Sequence, residues 1–299
     1  MLTRLIRRFD FSLRNCQRTA IRSVVISIGL VLSSTFGVDA QPGSSQFSPT
    51  FVTSFQSFAE WCGARNQLPP ETQKTVDVLL QKANTTNCQQ ADRVLSIASG
   101  LNLTASGISD LKPIGSLKNL SRLTLHKNQI SDLSPLASLE QLKTLQIAAN
   151  QISDLKPLAV LTQLEELLLF DNQISDLTPL GSLTRLKNLN LGQNQISSLG
   201  SLATLTNLTE LSLARNQISD LSPLSGLNRM IELNLSFNQI SNVEPLAAMR
   251  NLQEVNLNGN NISNVNPLRT LPNLNEVYLF QNPVESQVCP QNPDALCIL

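Results

Sequence analysis

The sequence predicts an α/β solenoid: a right-handed coil with a parallel sheet on its concave face, short 3-10 turns on its convex face and a helical N-terminal cap. Three observations predict it. An asparagine recurs every 22 residues with no insertion or deletion, at Asn128, Asn150, Asn172, Asn194, Asn216, Asn238, Asn260 and Asn282. The residues five and three before each one are apolar, from Leu123 and Leu125 to Val277 and Leu279. Leu101 and Leu103 add an earlier unit with Ser106 in the asparagine's place, which makes nine repeats.

Two apolar residues one apart point to the same side of an extended strand, so each repeat is expected to supply a short strand with its leucines turned inward. With Leu120 and its equivalents the unit reads Leu-x-x-Leu-x-Leu-x-x-Asn. From Leu95 to Val284, in phrases such as Asn-Gln-Ile-Ser-Asp-Leu at Asn128–Leu133, the chain resembles the bacterial internalin-like and SDS22-like leucine-rich repeat families. In such families the concave face carries partner specificity. The resemblance is specific for fold and weak for function.

Taken in order, the chain opens with six Arg between Arg4 and Arg22, the apolar run Val24–Leu32 and the small residues Val38-Asp39-Ala40 before Gln41. This reads as a secretory signal peptide over 1–40, with an uncleaved anchor as the rival reading. The apolar run is shorter than the ~20 residues a spanning helix needs. The residue directly after the expected cleavage site is Gln41 and not cysteine, which argues against a lipoprotein. The mature protein is therefore expected in the periplasm or outside the cell.

Without residues 1–40, 16 basic residues face 20 acidic ones. A mildly acidic chain is a poor phosphate binder, so nucleic acid and anionic membrane surfaces are not expected partners. Beyond the leader stand Cys62, Cys88, Cys289 and Cys297, two before the array and two after. An even number in an exported chain points to local disulfides, Cys62 with Cys88 and Cys289 with Cys297, over free thiols or zinc. Zinc fits poorly, because the chain has one His and neither pair has C-x-x-C spacing.

Residues 41–98 are rich in Phe and hold the only Trp. Phe51, Phe55, Phe58 and Cys62 fall at helical spacing after Ser48-Pro49, a plausible helix start. Val76, Leu79, Leu80 and Ala83 predict a second helix after Pro69-Pro70, and Ala91, Val94, Leu95 and Ala98 a third after Asn84–Asn87. Together they would cover the open apolar end of the first repeat, as the tail over 283–299 would cover the last. The Trp61-Cys62 pair, the Leu-Pro-Pro stretch and the Cys289-Pro290 to Cys297 tail also resemble secreted cyanobacterial leucine-rich repeat proteins.

Within the array, over 99–282, the asparagine ladder reads as structural, because a buried amide can satisfy backbone donors and acceptors at the turn after each strand. Four residues later stand Asp110, Asp132, Asp154, Asp176, Ser198, Asp220, Asn242 and Asn264, and three beyond these comes Pro in every repeat except at Ser201. These are helix-capping types ahead of a proline-led 3-10 turn, and capping explains the Ser and Asn better than a calcium row does.

The alternate strand residues face outward and are read as free to vary. Six before the asparagine they include Glu166 and, on adjacent strands, Glu210, Glu232, Glu254 and Glu276, a like-charge column that costs stability unless a cation or basic partner neutralises it. Leu168 with Phe170, and Tyr278 with Phe280, read as exposed apolar anchors. Catalysis has little to stand on. A triad would rest on His126 alone, with no acid placed to orient it. That residue reads as a surface ladder position whose loss alters nothing in folding. No cofactor is expected. The expected function is a non-enzymatic protein-binding module of the cell envelope or exterior, a monomer by default, whose partner carries a basic segment. Glycan or cell-wall polysaccharide binding, and an SDS22-like regulatory role, are the alternatives.

Overall fold

The structure, a computed structural model, describes residues 55–284 and the backbone of 296–298. The leader, Phe51 and the proposed Cys289–Cys297 bridge lie outside the described residues.

Among the described residues three α-helices precede the sheet. The first, α1 (Phe58–Gly63), starts later than Ser48-Pro49, and Phe55 lies ahead of it. Its start is fixed by side chains: Ser57 Oγ accepts from the Glu60 amide, and the Asp92 carboxylate accepts from the amides of Phe58 and Ala59 at 2.9 and 3.2 Å. These bonds satisfy donors that every helix N-terminus leaves unpaired. The second, α2 (Pro70–Lys82), has proline in its first turn, and α3 (Cys88–Ser96) is capped by Asn87 Oδ1 on the Gln90 amide. Cys62 and Cys88 are joined in a disulfide that ties α1 to α3. The second helix docks on the first repeat through two buried threonines, with Thr72 donating to the Asp110 carboxylate and Thr75 to the Asp110 carbonyl.

Each repeat adds three residues to one open parallel sheet: β1 (Gly100–Asn102), β2 (Arg122–Thr124), β3 (Thr144–Gln146), β4 (Glu166–Leu168), β5 (Asn188–Asn190), β6 (Glu210–Ser212), β7 (Glu232–Asn234), β8 (Glu254–Asn256) and β9 (Glu276–Tyr278). The strands follow sequence order, and every pairing advances by one repeat, as Leu145 with Leu167 and Leu167 with Leu189. The tail supplies an unexpected tenth strand, β10 (Leu296–Ile298), with Cys297 in register with Val277. Among the described residues, eight 3-10 turns run opposite the sheet, from Ile114–Ser116 to Asn266–Thr270. The aliphatic columns between sheet and turns are fully buried, as at Leu139, Leu142, Leu145, Ile147, Ile152, Leu155 and Leu158.

Two rows of asparagine bonds tie coils to the ones before them, and a third set of polar bonds shapes the turns. In the ladder, each Asn Oδ1 accepts from an amide 20 residues earlier, such as Ile152 for Asn172 or Ile174 for Asn194. Its Nδ2 donates to carbonyls 25, 3 and 2 residues earlier, as Asn194 does to Leu169, Leu191 and Gly192 at 3.1, 3.0 and 3.1 Å. One side chain thus closes its own turn and staples it to the preceding repeat. A second row, not anticipated from the sequence, joins Asn119 to Ser96, Asn207 to Thr184, Asn251 to Asn228 and Asn273 to Arg250, each Nδ2 donating to a carbonyl one coil back. In the third set the acidic column caps the 3-10 turns, by a different geometry from the one expected. The N-cap position is the next residue, such as Leu133 or Leu177, and the Asp or Asn accepts from the amide two residues on, as Asp132 from Ser134 at 2.8 Å. This is an Asx-turn.

Candidate functional site

The solvent face of the sheet carries two outward columns from the strands and a third just beyond them. The register places Gly100, Arg122, Thr144, Glu166, Asn188, Glu210, Glu232, Glu254 and Glu276 in one line. Asn102, Thr124, Gln146, Leu168, Asn190, Ser212, Asn234, Asn256 and Tyr278 form the next. Glu210, Glu232, Glu254 and Glu276 therefore stand on four consecutive strands, roughly 4.8 Å apart.

The carboxylates draw part of their solvation from the chain itself, so the expectation that only an outside cation relieves them is corrected. Gln146 Nε2 donates to Glu166 at 2.6 Å, Asn188 Nδ2 to Glu210 at 2.8 Å and the Tyr278 hydroxyl to Glu276 at 2.7 Å. That hydrogen bond, then burial and the charges of Glu276 and Glu254, hold the Tyr278 hydroxyl far above the ordinary phenol range. Tyr278 is a fixed donor at the end of the column.

Several outward residues are not free to vary, because their side chains fold back onto backbone amides. Asn102 Oδ1 accepts from Thr104, Asn190 from Gly192, Asn234 from Ser236 and Asn256 from Asn258, at 3.0 to 3.1 Å. Asn258 does the same for Phe280 at 2.8 Å. His126 serves one repeat in this way, its Nδ1 accepting from the Ala148 amide at 3.0 Å. Its role is therefore more than a surface position, since Ala148 is buried.

Burial lowers the His126 pKa, even though Gln146 and Glu166 act to raise it. A His with a depressed folded pKa binds fewer protons folded than unfolded, so stability falls as pH drops through the unfolded value toward the folded one. His126→Ala is expected to cost about 1 kcal/mol at neutral pH, from the unpaired Ala148 amide. It should also remove that acid-side dependence. Urea titrations of both proteins at pH 7.5 and below 6.5 check this, and parallel losses in the two would exclude it.

The apolar anchors are less exposed than the sequence suggested. Leu168, Phe170 and Tyr278 are half-buried, and the Phe170 ring lies 6.3 Å from that of His126, centroid to centroid. Phe280 remains 55% exposed. Phe237, which the strand pattern did not single out, is 40% exposed, with the Arg215 guanidinium 4.4 Å above its ring. Phe280 lies two residues before its ladder asparagine and Phe237 directly before one, at the position where the backbone is left-handed in every repeat (φ 53 to 64°). The next repeat places Gly259 there, and a Cβ on it would come within 2.5 Å of the Phe237 ring. Among the described residues no group of three or more His, Cys, Asp or Glu is placed to hold a metal ion.

Comparison with known proteins agrees with this geometry. The family described as Leucine Rich repeats (2 copies) matches residues 118–160, 162–204 and 206–248, and a single Leucine Rich repeat matches 248–265. Internalin C2 of Listeria monocytogenes is 36% identical, with a TM-score of 0.64 over 68% of this chain and 91% of that one. The internalin InlF of the same organism is 28% identical with a TM-score of 0.69, over 75% of this chain and 66% of its own length. A plant peptide hormone receptor, RGFR1, solved in complex with RGF2, is 25% identical with a TM-score of 0.54, over 62% of this chain and 32% of the receptor. No curated protein matches the chain in sequence.

Proposed function

The chain belongs to the internalin-like family of leucine-rich repeat proteins, and from that premise we propose that it is a non-enzymatic protein-binding module. Its partner, carrying a basic segment, docks on the solvent face of the sheet. The observation that carries this reading is the run of four glutamates on consecutive strands, held by a backbone that the asparagine ladder fixes in place. A rigid acidic track of this kind is preorganised for an extended basic chain, so little ordering is required of the protein on binding. Its likeness in fold to a plant peptide hormone receptor solved in complex with RGF2 supports a protein or peptide partner.

We place the module in the cell envelope or exterior. The Arg-rich leader supports this, as does the Cys62–Cys88 bridge, since such bonds persist in oxidising compartments. Among the described residues no helix is long and apolar enough to cross a membrane. In this proposal 1–40 is removed, 41–98 and 283–299 cap the ends, and 99–282 presents the face.

The test is affinity purification from the native envelope fraction with the mature chain, alongside Phe170→Ala. A protein partner is expected, its association slowing as salt rises because exposed charges are screened beyond about 8 to 10 Å. It should leave the Phe170→Ala variant faster. Recovery of a polysaccharide with no salt dependence would overturn the proposal.

A further inference from the structure

We infer that the N-terminal edge of β2 to β5 holds a carboxylate-binding site, which selects partner segments carrying an acidic residue as well as basic ones. The inference rests on the proposed protein-binding role of the sheet face. An open cleft of about 400 Å³ lies there, lined among others by Arg122, Lys143, Thr144, Glu165, Glu166 and Lys187.

Charge decides what it takes. Lys187 Nζ is 2.7 Å from Glu165 Oε2, and Glu166 accepts from Gln146, so these groups already have partners. Arg122 and Lys143 form no ion pair among the described residues, and both are exposed. Three cations and two carboxylates leave the cleft with one net positive charge. That suits a monoanionic carboxylate better than a dianionic phosphate. The Thr144 hydroxyl on the same wall adds a neutral donor.

The cleft shares its column with the glutamates. Arg122 and Thr144 stand at one end of the line, and Glu210 to Glu276 at the other. The face is thus polarised along its length, and charge complementarity names the occupant: an extended peptide with an acidic residue at one end and Lys or Arg at the other. From β2–β3 to β6 is three to four strand spacings, roughly 14 to 19 Å. At ~3.3 Å per extended residue, the basic residues should begin about five positions from the acidic one.

The experiment measures binding of labelled synthetic peptides to the mature chain by fluorescence anisotropy at low salt. One peptide carries Glu, a four-residue Gly/Ser spacer and a Lys-rich end; a second has Gln for that Glu. The first is expected to bind roughly fivefold tighter, as one well-placed surface ion pair allows. That advantage should vanish in Arg122→Gln/Lys143→Gln, which should bind the two peptides equally tightly. Equal binding of the two peptides, or an advantage that survives the double substitution, overturns the inference alone. Failure of both peptides to bind overturns the reading of the sheet face and this inference with it. A phosphoserine in place of the Glu that gains a further order of magnitude overturns the assignment to a carboxylate.

Discussion

Replacing Asn172 with Ala is expected to lower the stability of the array by about 3 kcal/mol, because one side chain closes four hydrogen bonds at a joint between coils. Asn172 Oδ1 accepts from the Ile152 amide at 3.0 Å, and Ile152 is fully buried, so its N–H loses its partner where water does not replace it. Nδ2 donates to the carbonyls of Ile147, Leu169 and Phe170 at 3.2, 3.0 and 3.4 Å, and these lose a donor too. An unpaired buried group costs about 1 to 3 kcal/mol, and carbonyls with a second lone pair engaged sit at the low end. Each repeat of a solenoid contacts only its neighbours, so a broken joint weakens the coupling on which both flanks depend. Asn172→Asp separates the parts: it keeps the acceptor for Ile152 and sets a charge against three carbonyls, so it should destabilise as well. Urea unfolding of both, with Val160→Thr on the exposed convex side as control, measures the difference. A midpoint for Asn172→Ala equal to the control's would mean that water enters the joint and the ladder is dispensable.

Why so much of the face was legible in advance follows from the period. Twenty-two residues per coil with no slip turns columns in the sequence into columns in space, so Glu210, Glu232, Glu254 and Glu276 align whatever the details of the turns. What stayed hidden was the direction in which short polar side chains turn. Nothing local distinguishes Asn190, which folds back onto the Gly192 amide, from Asn188, which reaches sideways to Glu210. The left-handed residue before each ladder asparagine was equally silent. Its usual marker, glycine, appears only at Gly259, while Ala105, Ala149 and Phe237 adopt the same conformation. That conformation costs roughly 1 kcal/mol for such residues, and the asparagine's bonds across the turn offset it. The late start of α1 was hidden because the Asp92 carboxylate that fixes it is 34 residues away from Phe58 in the chain. The tenth strand was missed because Leu-Cys-Ile at 296–298 lacks the spacing that marks the other nine.

Replacing Glu210, Glu232 and Glu254 together with Gln should separate what the column does for the fold from what it does for a partner. Gln keeps a hydrogen-bond acceptor at each position, so the bond from Asn188 to Glu210 has a neutral counterpart in the variant. Three charges disappear from consecutive strands, where like charges opposite one another destabilise by roughly 0.2 to 1 kcal/mol per pair. Stability is therefore expected to hold or to rise by about 1 kcal/mol. Binding is expected to move the other way, weakening roughly 10- to 100-fold at low salt if each lost contact contributes up to about 1 kcal/mol. Most of that loss should fall on the association rate, because exposed charges steer encounter, and the residual binding should depend less on salt. Phe170→Ala should instead act on dissociation, since an apolar contact is made only after docking. The opposite signs guard against a trivial cause: a variant that binds poorly because it has unfolded would also melt earlier. If the partner recovered from the envelope binds the triple variant as tightly and as quickly as the wild type, the glutamate column is not its site. The exposed convex turns and α1 to α3 would then be the surfaces to probe.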